Sequence, residues 1–177
     1  PESATALATF DEIEDAGNAV SEIMFSGVLP SVLEIVDQQT IMAFNQYSEL
    51  KLPDAAAILL VETDGYTKEE TAYQMAKIVE IFKKNNSSTV REAASPEEAK
   101  ALWVTRKSAY GVTALINNNL IAEDLAVPMS KVPDMLKATA EISKKYNLKM
   151  PTVGHLGDGN LHPVISFDGT DPEEVKR

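Results

Sequence analysis

Apolar and polar positions alternate in short runs along this chain, and between those runs apolar residues recur every three or four positions. Thr5-Ala6-Leu7-Ala8-Thr9-Phe10 reads as a strand. Ile13, Ala16, Val20, Ile23 and Met24 then recur at helical spacing as far as Gly27, with Asp11 and Glu14 placed to cap the start. Residues 32–36 read as a short strand, and Asp37 caps a helix carrying Ile41, Met42 and Phe44. Pro53 resets the chain, and residues 55–61 form a buried strand. Thr67 with Glu70 is a capping-box pair, and Ala72, Met75, Ala76, Val79 and Phe82 give the next helix one apolar face. Residues 88–92 are a further strand. The order strand–helix–strand, strand–helix–strand is that of the split βαβ, or ferredoxin-like, plait.

The rest of the chain begins a similar pattern. Ser95-Pro96-Glu97-Glu98 combines a cap residue, an early proline and a glutamate at the third helical position. The helix it starts carries Ala99, Leu102, Trp103, Arg106 and Tyr110. Residues 120–127 read as a strand, and Ser130 starts a helix running to about Tyr146. Thr152-Val153 and Val164-Ile165-Ser166-Phe167 are strands around a glycine-rich turn. Asp168-Gly169-Thr170-Asp171-Pro172-Glu173-Glu174 is a turn and another helix start. The expected class is α+β: an antiparallel, ferredoxin-like sheet with the amphipathic helices starting at Asp11, Thr67, Ser95 and Ser130 packed on one face. Residues 1–94 are expected to form a first half, and residues 95–177 a second half that is cut before completion.

Composition narrows the chemistry. The 177 residues are 44% hydrophobic, enough for a proper core. The longest apolar run, residues 55–61, is strand length, well short of the roughly 20 residues of a membrane span. Zero cysteines exclude disulfides, thiolate catalysis and cysteine-ligated metal. The net charge of −11, with no basic stripe, argues against nucleic acid. Pro1-Glu2-Ser3 is neither an initiator start nor a signal peptide, so a cytoplasmic chain that begins inside a longer protein is expected. No phosphate-cradling Gly-x-Gly-x-x-Gly loop occurs.

The densest chemistry lies in Gly154-His155-Leu156-Gly157-Asp158-Gly159-Asn160-Leu161-His162-Pro163, which holds both histidines of the chain. With the turn centred on Asp158-Gly159, His155 and His162 are expected to oppose each other on one face of a hairpin. Directly opposed Cβ atoms lie about 4.5–5.5 Å apart. Two imidazoles that close can share a metal ion, or one can move a proton while the other holds an anion. The same residues also make an ordinary turn, because glycine and asparagine tolerate positive φ. Both readings stand on spacing alone.

The run Gly-His-x-Gly-Asp-Gly-Asn-x-His resembles the signature of the C-terminal, substrate-side domain of FAD-linked oxidases, the family of glycolate oxidase, D-lactate dehydrogenase and D-2-hydroxyglutarate dehydrogenase. Leu102-Trp103-Val104-Thr105-Arg106-Lys107 resembles the family's Leu-Trp-x-x-Arg-Lys segment, Glu123-Asp124-Leu125-Ala126-Val127-Pro128 its Glu-Asp-x-x-Val-Pro strand, and Leu33-Glu34-Ile35-Val36-Asp37 its Leu-Glu-x-x-Asp segment. The matches run in family order over nearly the whole chain.

The resemblance implies a flavin-dependent dehydrogenase or oxidase of small 2-hydroxy acids. FAD would be bound mainly by a flavin-binding domain outside this chain, and the 177 residues alone are expected to be colourless and inactive. Arg106 would meet the substrate carboxylate, since a guanidinium fork matches it in shape and charge. Asn160 would hydrogen-bond substrate or hold the turn. Tyr110, one turn after Arg106, would donate to substrate or simply pack. His155 and His162 would be catalytic and would hold a divalent metal (zinc, manganese or iron), with a third ligand, a glutamate, beyond this chain. Trp103 is expected in the core and Lys107 on the surface. Asp124 is read either as a site acid or as the exposed end of a strand. Relatives specific for longer diacids have a lysine where this chain has Ala122, which favours glycolate or D-lactate over 2-hydroxyglutarate. An electron-transfer subunit and a peripheral place at the membrane also follow from the resemblance. The alternative is a non-catalytic plait binding a small anion or a protein partner.

Overall fold

The computed structural model describes residues 2–49 and 51–177. Its elements are β1 (Glu2–Phe10), α1 (Ile13–Phe25), β2 (Val32–Asp37), α2 (Gln38–Tyr47), β3 (Ala57–Gly65), α3 (Lys68–Lys84), β4 (Ser87–Glu92), α4 (Pro96–Thr113), β5 (Asn119–Ala122), β6 (Leu125–Ala126), α5 (Val132–Tyr146), β7 (Thr152–His155), β8 (Asn160–Phe167) and α6 (Pro172–Lys176). The strands form one sheet in the order β4-β1-β3-β2-β7-β8-β5, with β6 also paired to β8. Every pairing is antiparallel. The order β4-β1-β3-β2 is that of the ferredoxin-like plait, and the β7–β8 hairpin extends the sheet from β2.

Strand registers fix which side chains share a face. Ala6, Ala8 and Phe10 of β1, Leu33 and Ile35 of β2, and Leu59 and Val61 of β3 enter one core with residues of α1, α3 and α5. Phe10 meets Phe82 of α3 edge-on, with centroids 6.0 Å apart. Val36, Ile58 and Val153 point the other way and pack with Ile41 and Phe44 of α2 and Ala109 and Val112 of α4. The α+β class and the antiparallel sheet are as expected, but the helices occupy both faces. Three of the four amphipathic helices share a side, whereas the one beginning at Ser95 crosses the opposite side beside α2. Its apolar stripe is thin, and polar contacts complete its docking.

Local signals explain most element ends. Asp37 Oδ1 accepts from the Thr40 amide at 2.9 Å and the Thr40 hydroxyl at 2.7 Å. Burial nevertheless pushes the Asp37 carboxyl up to about 6, against the lowering effect of its hydrogen bonds. The Thr67 and Ser95 hydroxyls accept from the Glu70 and Glu98 amides at 3.1 and 3.2 Å. Each glutamate reaches back one residue further than the usual box, to the amides of Tyr66 and Ala94. The expected Asp11–Glu14 cap is not formed: Glu12 is the N-cap of α1 and makes no side-chain cap bond. Ala72 and Ala76 are exposed, and the buried stripe of α3 runs through Thr71, Met75, Ile78, Ile81 and Phe82. The helix expected from Ser130 starts with a 3-10 turn, Met129–Lys131.

The strand expected over residues 120–127 is split into β5 and β6, both paired to β8 in one continuous register. Pro163 lies opposite the break. The Glu123 amide donates to the Pro163 carbonyl at 3.0 Å, but proline has no N–H to return the bond.

Candidate active site on the α2/α4 face

Glu34, His155, Asn160 and His162 project from neighbouring strands on the face that α4 covers. The registers pair Glu34 with His155, and His155 with Asn160. His162 pairs with Val153, so the two histidines are diagonal neighbours and not directly opposed. The turn is therefore centred one residue earlier than expected, on Gly157-Asp158. Both imidazoles still share one face, because Val153 and His155 are two residues apart. Their ring centroids lie 5.2 Å apart at an interplanar angle of 80°.

Two glycines shape this hairpin. Gly159 has φ +76°, and a Cβ there would sit 2.2 Å from the Val127 carbonyl oxygen. A Cβ on Gly154 would meet the Asn160 carbonyl oxygen at 2.5 Å. A side chain at Gly154 would push the two histidine-bearing strands apart, and one at Gly159 would push the turn off the Val127 carbonyl.

Helix α4 brings its polar residues down onto the sheet. Trp103 Nε1 donates to Glu62 Oε2 at 2.9 Å, and the Thr5 hydroxyl donates to the same oxygen at 3.2 Å. One turn on, Arg106 Nε donates to Glu34 Oε2 at 2.6 Å. The other Glu34 oxygen lies 2.5 Å from His155 Nδ1. Glu34 is 5% exposed. A carboxylate so deeply buried needs partners, and its two oxygens find a guanidinium and an imidazole. Arg106 Nη1 and Nη2 make no hydrogen bond among the described residues, so the outer edge of its fork stays open.

His162 Nδ1 lies 3.5 Å from Asp124 Oδ1, whose side chain is largely exposed. Neither imidazole Nε2 has a hydrogen-bond partner among the described residues. The Asn160 side-chain oxygen is buried and also unpartnered. A pocket of about 220 Å³ opens beside His162, lined among others by Tyr110, Ala122, Glu123, Asp124 and Val153. A larger cavity of about 810 Å³ lies between α2 and α5, and none of Glu34, Arg106, His155 or His162 lines it.

The site residues named from sequence therefore gather in two contacts. Arg106 and His155 meet through Glu34, and His162 stands beside His155. Tyr110 is exposed and lines the small pocket. Asn160 sits across the ladder from His155. Trp103 is half-buried and outside both core clusters, contrary to expectation, because its indole N–H is drawn to the Glu62 carboxylate, and Lys107 is exposed as expected. Sequence reasoning gives no site role to Glu34 or Glu62. The signal for Glu34 is a lone charge within Val32-Leu33-Glu34-Ile35-Val36, an otherwise apolar strand.

A profile of FAD linked oxidases, C-terminal domain, matches residues 1–177. The chain belongs to this family. It is 38% identical over 174 residues to the glycolate oxidase subunit GlcD of Bacillus subtilis (strain 168), covering 98% of this chain and 37% of that protein. Against the GlcD subunit of Escherichia coli (strain K12) it is 34% identical over 178 residues, covering 100% of this chain and 36% of the relative. The mitochondrial D-lactate dehydrogenase (cytochrome) of Arabidopsis thaliana is 28% identical over 176 residues, with 97% of this chain and 30% of that protein covered. The chain thus spans about a third of the length of these relatives. Among solved structures, p-cresol methylhydroxylase with substrate bound shares the fold at a TM-score of 0.69 and 15% identity, over 99% of this chain and 41% of that one.

The family is one of FAD-linked oxidases, and no phosphate-cradling Gly-x-Gly-x-x-Gly loop occurs in these residues. For a divalent metal the fit is partial. Two imidazoles offer Nε2 from one face with an unpartnered amide oxygen beside them, yet no three His, Cys, Asp or Glu side chains converge among the described residues. No helix among the described residues is long and apolar enough to cross a membrane.

Proposed function

We propose that this domain is the substrate- and metal-binding part of a FAD-dependent dehydrogenase or oxidase of small 2-hydroxy acids, glycolate or D-lactate being the favoured substrates. The observation that carries the reading is the open edge of Arg106, oriented by Glu34 beside the His155–His162 pair. Membership of the FAD-linked oxidase family supports it, as does the similarity to glycolate oxidase and D-lactate dehydrogenase relatives. The same reading treats residues 1–94 and 95–177 as two halves of this domain.

The reaction is oxidation of R–CH(OH)–COO⁻ to R–CO–COO⁻. FAD, when bound, supplies the acceptor for the hydride leaving Cα. A divalent metal (zinc, manganese or iron), when bound at His155 and His162, supplies a Lewis acid for the hydroxyl oxygen. Arg106 clamps the carboxylate through its Nη nitrogens and so fixes the Cα–H direction. An imidazole Nε2 of the pair that is not given to a metal can take the hydroxyl proton. Asn160 offers its side-chain oxygen as an acceptor toward the same space, and Tyr110 borders the pocket that takes the substrate's R group.

Ala122, Glu123 and Asp124 argue for a short R group. A second carboxylate reaching this pocket would meet Glu123 and Asp124 and no lining lysine or arginine. An electron acceptor for the whole protein, in the form of a companion electron-transfer subunit, belongs to the same reading, as does a cytoplasmic or membrane-peripheral location. The test is anaerobic mixing of the full-length flavoprotein with a panel of 2-hydroxy acids. Glycolate or D-lactate is expected to bleach the flavin absorbance faster than 2-hydroxyglutarate. Reduction only by a diacid, or by none of the panel, would refute the assignment.

A further inference from the structure

We infer that Glu34 is a positioning residue that sets the tautomer of His155 and the orientation of Arg106 at the same time. This role rests on the proposed service of His155 to metal and Arg106 to substrate.

Glu34 sits where two ladders and a helix meet. It pairs with Leu60 of β3 on one side and His155 of β7 on the other, while Arg106 descends from α4. The carboxylate is acceptor-only when ionised. Oε2 therefore takes the Arg106 Nε proton, and Oε1 takes a proton from His155 Nδ1. That leaves the lone pair of neutral His155 on Nε2. A carboxylate behind an imidazole in this way fixes ring orientation and tautomer. His162 lacks such a partner, since its Nδ1 faces an exposed Asp124 at 3.5 Å. The two imidazoles are thus unequal, and His155 is the one whose donor atom is prepared.

The same carboxylate aims Arg106. Its bond at Nε holds the guanidinium plane while the Nη edge remains open for a second carboxylate. An ion pair that served only to dock α4 would not require the imidazole. Glu34 is engaged by both groups, and this predicts a specific response to amide substitution. In Glu34→Gln the side-chain oxygen stays with Arg106, which can only donate. The amide NH₂ then faces His155 Nδ1 and donates to it, so the His155 proton moves to Nε2 and the lone pair there is lost.

The test uses the full-length protein, stripped of metal with a chelator. Zn²⁺ binding is measured by equilibrium dialysis for wild type, Glu34→Gln and His155→Ala, and ¹⁵N spectra of histidine-labelled protein report the His155 tautomer at a pH where the ring is neutral. Wild type is expected to carry its proton on Nδ1 and Glu34→Gln on Nε2, with Zn²⁺ affinity weakened roughly 10- to 100-fold. Wild-type Zn²⁺ affinity in Glu34→Gln, with binding lost in His155→Ala, would overturn the role of Glu34. So would a wild-type His155 protonated on Nε2, a result that needs no variant to fold. If wild type and His155→Ala bind Zn²⁺ alike, the metal assignment fails, and the nitrogen spectra still decide whether Glu34 sets the tautomer.

Discussion

His155 and His162 are diagonal neighbours across the β7–β8 ladder, with ring centroids 5.2 Å apart. Diagonal placement brings the rings together edge-to-face while each Nδ1 turns toward a different carboxylate, Glu34 or Asp124. If this pair holds a metal, removing either ring removes a ligand. Metal analysis of full-length His155→Ala and His162→Ala protein is expected to give loss of stoichiometric metal in both. Full metal content in either variant would reduce the motif to a structural turn.

Arg106→Lys keeps the charge and loses the planar fork. Losing hydrogen bonds to a charged group costs about 1.5–3 kcal/mol, which is roughly 10- to 150-fold in kcat/KM. Steady-state kinetics of the full-length enzyme should show that loss, and Arg106→Ala should lose at least as much. Unchanged kcat/KM in Arg106→Ala would remove Arg106 from the substrate site.

Trp103 anchors α4 through its indole N–H to Glu62. Trp103→Phe keeps the ring volume approximately but leaves that carboxylate oxygen with only the Thr5 hydroxyl. A destabilisation of about 1–3 kcal/mol is expected, measurable by chemical denaturation. A variant as stable as wild type would show that apolar packing alone docks the helix.

Asp37 gives a pH signature. Its folded carboxyl titrates at about 6, against an ordinary value of 3.8. Between those values the folded state binds more protons than the unfolded one. The associated stability is fully present below 3.8 and is lost as pH rises through about 6. The gap of about two pK units corresponds to about 3 kcal/mol. Asp37→Asn retains an oxygen to cap α2 and should flatten this dependence in denaturation curves taken across pH 4–7. An equal slope in wild type and variant would contradict the burial argument.

The sequence made the plait legible because α1 and α3 carry strong apolar stripes and β1 to β4 alternate or run apolar in the right order. Helix α4 lies on the unexpected face for a physical reason. It docks through Trp103 and Arg106 as much as through apolar residues, and periodicity cannot say which face of a sheet such a helix meets. The histidine hairpin was legible as a hairpin, but its register depended on where the turn closed. Gly159 packs against the Val127 backbone just past β6, a contact that spacing does not encode. Glu34 was hidden for a similar reason, since its partners lie on α4 and β7, far along the chain. Arg106 and Asn160 stand out through family motifs and Tyr110 through its place one turn after Arg106; apolar pattern marks neither the open edge of a guanidinium nor an unpartnered amide oxygen.

The central claim is that Arg106 and the imidazole pair act on a 2-hydroxy acid in a flavin-dependent oxidation. Stopped-flow flavin reduction under anaerobic conditions tests it most directly, using full-length wild type, Arg106→Ala and His155→Ala with glycolate and D-lactate. Wild-type flavin is expected to bleach on mixing, and both variants are expected to retain FAD yet bleach at least tenfold more slowly at the same substrate concentration. Variants that retain FAD and bleach at the wild-type rate would contradict the account.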